Sequence, residues 1–283
     1  MILVTGATGT VGREVLRLLA GRGVPLRAMT RDVARLPSHE AKVEVVRADF
    51  EAPETLRAAV DGVDAVFLLT APGSWVPGHD LAMIDAARAA GVRKVVKLSA
   101  VGGGSGPAGW HAPGEEALAA GGLAWTALRP SSFASNTLRW AAAIRAGEPV
   151  PNLTGTGTQG VVDPRDVAEV AVAALLGAEH DGTVLTLTGP GLVSVPDQAA
   201  QLSEILGLPI STVDVPLETA REQLLAAGLD PSVADVAVQG SRLVREGGNA
   251  VVTGDVQRVL GRPPRSFRTW ALDHRGAFLD TRA

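Results

Sequence analysis

Residues 2–19 read ILVTGATGTVGREVLRLL, and this stretch decides the fold. Ile2-Leu3-Val4 is a short, largely β-branched apolar run, as expected of a buried parallel strand. Gly6, Gly9 and Gly12 follow at three-residue spacing, and Val15, Leu16, Leu18 and Leu19 then recur at helical intervals. The expected order is strand, glycine turn, helix. That order aims the unsatisfied N–H groups of a helix N-terminus at an anion, and a dinucleotide pyrophosphate suits it. The three glycines allow a tight turn, close backbone approach to the phosphates, and close packing of helix on strand. The spacing is G-x-x-G-x-x-G rather than G-x-G-x-x-G, and a glycine-rich turn without a ligand is the alternative.

With 283 residues, 46% of them hydrophobic, the chain can form one large domain, or one domain and a smaller lobe. The net charge of −4 and the lack of a basic cluster argue against nucleic-acid binding. No apolar run approaches the ~18 residues that span a membrane. The glycine strand begins at Ile2, which leaves no room for a signal peptide, so a cytoplasmic protein is expected. There are no cysteines, which excludes disulfides, thiolate catalysis and zinc–thiolate sites. The five histidines have no ligand spacing, so no metal is expected. There is no tyrosine.

Along the chain, strands are expected at 26–30, 43–46, 65–69, 95–99, 124–128 and 183–187. Helices are expected at 53–60, 79–90, 113–120, 137–146, 166–176, 195–206, 217–227 and 232–244. A last helix is expected around Trp270 and Phe278. The glycine-rich 102–109 reads as a mobile loop and Asn152–Gly160 as a Gly/Thr loop. Strand–helix alternation argues for an α/β fold: a doubly wound, mostly parallel Rossmann sheet with a smaller, mainly helical C-terminal lobe. The expected division is 1–190 for the dinucleotide-binding domain and 191–283 for the substrate-side lobe, with contributions from about 130–160.

Arg31 follows the second strand, where a carboxylate would suit the 2′-OH of NAD and an arginine the 2′-phosphate of NADP. Arg35 lies one helical turn on. Asp32, 20 residues past Gly12, complicates the choice. The pattern favours NADP(H) and leaves NAD(H) open; an ordinary solvated helix start is the other reading of the arginines. Asp49 suits either the adenine edge or the N-cap of the next helix. The exit Thr70-Ala71-Pro72-Gly73 lies at the carboxyl end of the sheet, where ligands bind in such folds.

Four stretches together resemble the NmrA-like branch of the atypical short-chain dehydrogenases, which includes NAD(P)H:quinone oxidoreductases. They are VTGATGTVG at the start, LAWTALRP at 123–130 followed by Phe133 and Asn136, VDPRDVA at 162–168, and GRPPRSFRTWALDH from Gly261. The resemblance implies that Gly6, Thr8, Gly9, Thr10, Val11 and Gly12 meet the pyrophosphate and Arg31 the adenosine phosphate. It places Asp49 and Phe50 near adenine, and Leu69, Thr70 and Ala71 along the ribose and nicotinamide. Pro130 to Phe133 would close over the nicotinamide ring. His111-Ala112-Pro113-Gly114-Glu115 resembles the H-x-x-x-E segment of the quinone reductases, although Pro113 makes His111 a pre-helix residue that need not share a face with Glu115. His111 is thus a candidate catalytic residue or a loop histidine. Glu115 reads first as a helix-dipole partner. Ser99 is a candidate catalytic serine or a strand terminator. Trp75 and Trp110 are placed near a flat substrate.

Short-chain dehydrogenases protonate the new alkoxide from a tyrosine, and this chain has none. A simple ketone gives an alkoxide whose conjugate acid has a pKa of roughly 16. A quinone gives a phenolate-like oxygen at about 10, a difference worth roughly 8 kcal/mol. An NAD(P)H-dependent reductase of a quinone or related planar aromatic carbonyl compound is therefore expected. It would suit a tailoring step, as reductase or apparent monooxygenase, in aromatic secondary metabolism. A non-catalytic NAD(P)-binding redox sensor is the alternative. The expected partner is a small planar aromatic substrate, and the oligomeric state is open, a homodimer included.

Overall fold

The computed structural model describes residues 1–35, 43–101 and 106–279. The first half alternates strand and helix. β1 (Ile2–Val4) leads through the glycine turn into α1 (Thr10–Ala20). β2 (Leu26–Thr30) ends in a 3-10 turn, Val33–Arg35, and β3 (Val43–Arg47) leads through a second, Pro53–Thr55, into α2 (Leu56–Val60). β4 (Ala65–Leu68), α3 (Val76–Ala89) and β5 (Lys94–Leu98) follow. The 3-10 helix Gly106–His111 runs directly into α4 (Ala112–Ala120), and β6 (Ala124–Pro130) closes this half. Of the loop expected at 102–109, the first four residues lie outside the described residues.

Beyond β6 come a 3-10 helix Ala134–Trp140, α5 (Ala141–Ala146), β7 (Val150–Asn152), α6 (Pro164–Leu176) and β8 (Thr183–Leu187). α7 (Val195–Leu206), β9 (Thr212–Asp214), α8 (Leu217–Ala226), α9 (Pro231–Arg245), α10 (Asp255–Leu260) and α11 (Phe267–Asp273) complete the chain.

Seven strands form one sheet in the order β3-β2-β1-β4-β5-β6-β8. The pairings from β3 through β6 are all parallel, in registers such as Leu3 with Arg27 and with Val66. The α/β expectation holds, including the helical C-terminal region. From β1 the chain steps outward to β2 and β3, then returns to β4 on β1's other side. That reversal puts a crevice beyond the carboxyl ends of β1 and β4. Three short elements were not expected. β7 and β9 are three residues each and pair parallel in a separate small sheet, and β7 contains Pro151. A three-residue run has no period to detect, and proline demotes it further. α10, six residues long, is equally short of signal.

The chain divides into two compact units, Met1–Arg129 with Val167–Thr186, and Pro130–Asp166 with Leu187–Ala283. In the first, Leu3, Val66 and Leu68 from the strands pack with Met83, Ile84 and Ala87 of α3 and Leu118 of α4. In the second, Trp270 is buried among Phe267, Phe278 and Leu202. Two of the family-like stretches meet there. Asp166 is fully buried, and its carboxylate accepts from Arg262 Nη2 at 2.7 Å and from the backbone N–H of Arg265 at 2.6 Å. VDPRDVA and GRPPRSF are thus two halves of one ionic clamp.

Candidate nucleotide site and polar cluster

The glycine turn is built by exclusion. Gly6 has φ of +59°, which favours glycine, and a Cβ there would stand 2.6 Å from Leu69 Cδ2. A Cβ on Gly12 would run into the Gly6 carbonyl, so α1 can lie against the turn only without one. Gly9 is the N-cap of α1 in extended conformation, and it offers no side-chain cap. A Cβ on Gly9 meets a single neighbour, the Gly6 oxygen at 3.3 Å. The first turn of α1 also carries no acidic residue. Its N–H groups are left for an anion.

A cleft of about 600 Å³ opens at this turn. Its walls come from the carboxyl ends of four neighbouring strands and the start of α3, all within the first unit. Of the expected residues it brings together Gly6, Thr8, Gly9, Arg31, Asp49, Phe50, Leu69 and Ala71. Others lie elsewhere. Thr10 is exposed at the start of α1, Val11 is buried, and Gly12 packs against the turn. Arg35 is the last residue of the 3-10 turn Val33–Arg35. Thr70 is buried and donates its hydroxyl to Asp80 Oδ1 at 2.7 Å. Pro130 ends β6, and Phe133 bridges to Val162; both belong to the second unit. Between them Ser131 Oγ is buried without a hydrogen-bond partner among the described residues.

Local hydrogen bonds sort the charges at the cleft. Asp32 Oδ1 accepts from the Ala34 N–H at 3.0 Å, and so caps the Val33–Arg35 turn. Arg31 is exposed, with no hydrogen bond or ion pair found for it among the described residues. Asp49 Oδ1 accepts from Glu51 N–H at 3.2 Å, closing a turn; Ala52, not Asp49, is the N-cap of the element that follows. One aromatic feature went unforeseen. His79 stacks on Phe50, centroids 5.2 Å apart and planes 13° apart, and both line the cleft. Trp75 lines it too and donates Nε1–H to the Ala71 carbonyl at 3.0 Å. Trp110 is half-buried in the 3-10 helix before α4 and lies outside the lining.

The first unit also holds a buried polar cluster. Lys97, in the apolar strand β5, reaches Asp80 Oδ2 at 2.6 Å and His111 Nδ1 at 3.0 Å. Asp80 and Lys97 are both fully buried. Beside them Ser99 donates its hydroxyl to Glu115, which also accepts from Arg129 Nε at 3.1 Å and pairs with Arg129 Nη2. Glu115, expected as a helix-dipole partner, is instead a buried member of this cluster, although it does sit in the first turn of α4. Burial pushes its carboxyl up, but the hydrogen bonds from Arg129 and Ser99 and the charges of Arg129 and Lys97 outweigh burial, and the net shift is downward. Burial first, and then the Lys97 charge, lower His111 to about 4, against a smaller opposing pull from Glu115. His111 is therefore neutral near pH 7, and not an acid in the imidazolium sense. Asp80 and Lys97 could have been suspected from one sign: Lys97 is a charge inside the apolar run Val95–Leu98.

The cleft fits a dinucleotide. It offers a glycine-bounded turn, an uncapped helix start, a cation beyond β2 and an aromatic pair. Among the described residues no three His, Asp or Glu side chains gather as a metal ion would need, and no helix is long and apolar enough to cross a membrane. Residues 6–177 match the sequence profile of an NAD(P)H-binding family. The chain is 42% identical to the (4-alkanoyl-5-oxo-2,5-dihydrofuran-3-yl)methyl phosphate reductase of Streptomyces griseus, over 98% of this chain and 99% of that one. It is 35% identical to the NAD(P)H azoreductase of Xenophilus azovorans, over 98% and 99%. The crystal structure of an NADPH-dependent quinone oxidoreductase from Escherichia coli, in complex with NADPH, superposes with a TM-score of 0.86 at 24% identity, over 98% of this chain and all of that one; at that identity it speaks for the fold. The chain belongs to the NAD(P)H-binding, NmrA-like branch of the atypical short-chain dehydrogenases and is an NAD(P)H-dependent oxidoreductase of that branch.

Proposed function

We propose that the chain is an NADPH-dependent reductase of planar, conjugated acceptors, quinones foremost, that spread an incoming electron pair onto a carbonyl oxygen. The observation that carries this reading is the acid chemistry in the chain. It has no tyrosine, and the histidine beside α4 is held neutral by burial and a lysine. Such a site can donate a hydrogen bond to an oxygen but supplies no strong acid, so the acceptor must carry the charge itself. The two curated relatives fit that demand by name. An alkanoyl-oxo-dihydrofuran has a ring double bond conjugated to carbonyls, and an azo group takes electrons through a conjugated system.

When bound, the dihydronicotinamide supplies the hydride. Gly6 to Gly9 and the start of α1 would hold the pyrophosphate, with Thr10 and Val11 in that first turn. Arg31 would pair with a 2′-phosphate, while Asp32 is engaged in its own turn and would leave the ribose edge to the arginine. Leu69 and Ala71 would line the path toward the nicotinamide. As hydride adds to a conjugated carbon, an electron pair moves onto the acceptor oxygen. The Nε2–H of His111 donates to that oxygen, and a proton from water completes the reduction.

The test is steady oxidation of NADPH by purified protein with a naphthoquinone or an acyl-dihydrofuranone. Turnover with either supports the enzyme. Binding of both NADP⁺ and NADPH with no turnover across the panel would instead favour a redox sensor.

A further inference from the structure

Lys97 has no part in the hydride transfer just outlined, yet it sits at the centre of the buried polar cluster. It comes from the middle of the apolar strand β5, and its ammonium contacts Asp80 of α3 and His111 at the entry to α4. Asp80 is fixed from its other side: Oδ1 accepts from Thr70, and Lys97 is the one partner of Oδ2 among the described residues. A Cβ on Gly114 would lie 2.8 Å from Asp80 Oδ2 and 2.9 Å from Lys97 Cε, so α4 can cover the pair only with glycine there. A buried ion pair is weak evidence for stability, because apolar residues of similar volume often do as well or better. This one points at a ring nitrogen. An ammonium has three donors and no acceptor, so His111 Nδ1 must accept, and the ring proton is then on Nε2.

We propose that Lys97, oriented by Asp80, is a positioning residue that holds His111 as the neutral Nε2–H tautomer and so makes it a hydrogen-bond donor toward the acceptor oxygen. The inference rests on the role given to His111 above. Four charged groups face or flank the ring: Lys97 from β5, Asp80 behind it from α3, Glu115 from α4, and Arg129 from β6 paired with Glu115. Two are positive and two negative, so no net local charge forces a proton onto the imidazole. Burial then keeps it neutral.

The experiment reads the ring nitrogens of ¹⁵N-histidine-labelled protein by NMR, with and without NADPH. The His111 signals are assigned by their loss in His111→Gln. From about pH 5.5 to 8, the range in which an ordinary histidine titrates, the wild type should show an unprotonated Nδ1 and a protonated Nε2 throughout. In the Asp80→Asn/Lys97→Met double variant, which removes both charges together, His111 should become a mixture of tautomers. Its kcat with a naphthoquinone should fall about tenfold, with the KM for NADPH unchanged. An Nδ1–H tautomer in the wild type, or a ring already protonated near pH 6, overturns the proposal even if the double variant fails to fold. So does a folded double variant with an unchanged tautomer. An Nε2–H ring in a protein that turns over no acceptor leaves the tautomer assignment standing and removes the proposed function, and with it the donor role.

Discussion

Arg31 and Asp32 are neighbours of opposite charge, and one backbone contact separates their roles. The Asp32 carboxylate turns to the Ala34 N–H, while Arg31 remains on the cleft wall. Arg31→Ala should therefore weaken NADPH binding by about 1–3 kcal/mol, the range for a hydrogen bond to a charged group, and leave NADH almost untouched. Fluorescence titration with both cofactors checks this; equal losses for the two would refute it. The glycines divide as sharply. Gly9→Val should fold, because the added Cβ meets one oxygen at 3.3 Å, but should lose both cofactors. Gly12→Val should lower stability itself, by about 1–3 kcal/mol or more, because its Cβ meets the Gly6 backbone. Circular dichroism melts beside cofactor titrations separate the two outcomes. The sequence showed the glycines and Arg31 because backbone needs and charge at a strand end leave a local trace. It did not show that Thr70 turns to Asp80, or that Lys97 meets His111. Those contacts join residues 10 and 14 positions apart, and no period marks them.

At the scale of elements, β5, α3 and α4 share the polar cluster, and their packing is tied to pH. His111 in the folded chain is lowered to about 4 from an ordinary 6.5. Between those values the unfolded chain binds the extra proton and the folded chain does not, so stability is full above about 6.5 and falls as pH drops toward 4. Glu115, also lowered, adds a loss in the same direction below the ordinary carboxylate range. Urea unfolding at a series of pH values should show a slope across that window. His111→Gln, which keeps an acceptor for Lys97, should flatten its upper part. A wild-type stability that is level from pH 7 to 5 would contradict the assignment. The same elements show how far sequence reaches. β2 is bounded by Pro25 before Leu26–Thr30 and Arg31 after it, and α7 by the caps Ser194 and Gly207. The helix expected at 137–146 is half 3-10, and apolar spacing over ten residues does not distinguish the two windings.

At the scale of the whole chain, two facts act together. The parallel sheet places a dinucleotide-sized cleft at the reversal of strand order, and the composition removes tyrosine from every possible proton relay. Of the first, the glycine turn was legible in residues 2–19 and the parallel sheet in the strand–helix alternation up to Pro130, but the strand order was not. The second was legible as an absence, and the neutral His111 extends it, since that ring carries no imidazolium proton near pH 7. On the proposed function, the reaction leaves its charge on an acceptor that can hold it. A phenolate-like product needs roughly 8 kcal/mol less stabilisation than an alkoxide, on the scale of about 1.36 kcal/mol per pKa unit. The most direct measurement is the initial rate of NADPH oxidation with a naphthoquinone and with cyclohexanone, side by side at equal concentration. Clear turnover of the quinone and none of the ketone is the predicted result; efficient reduction of cyclohexanone would contradict the account.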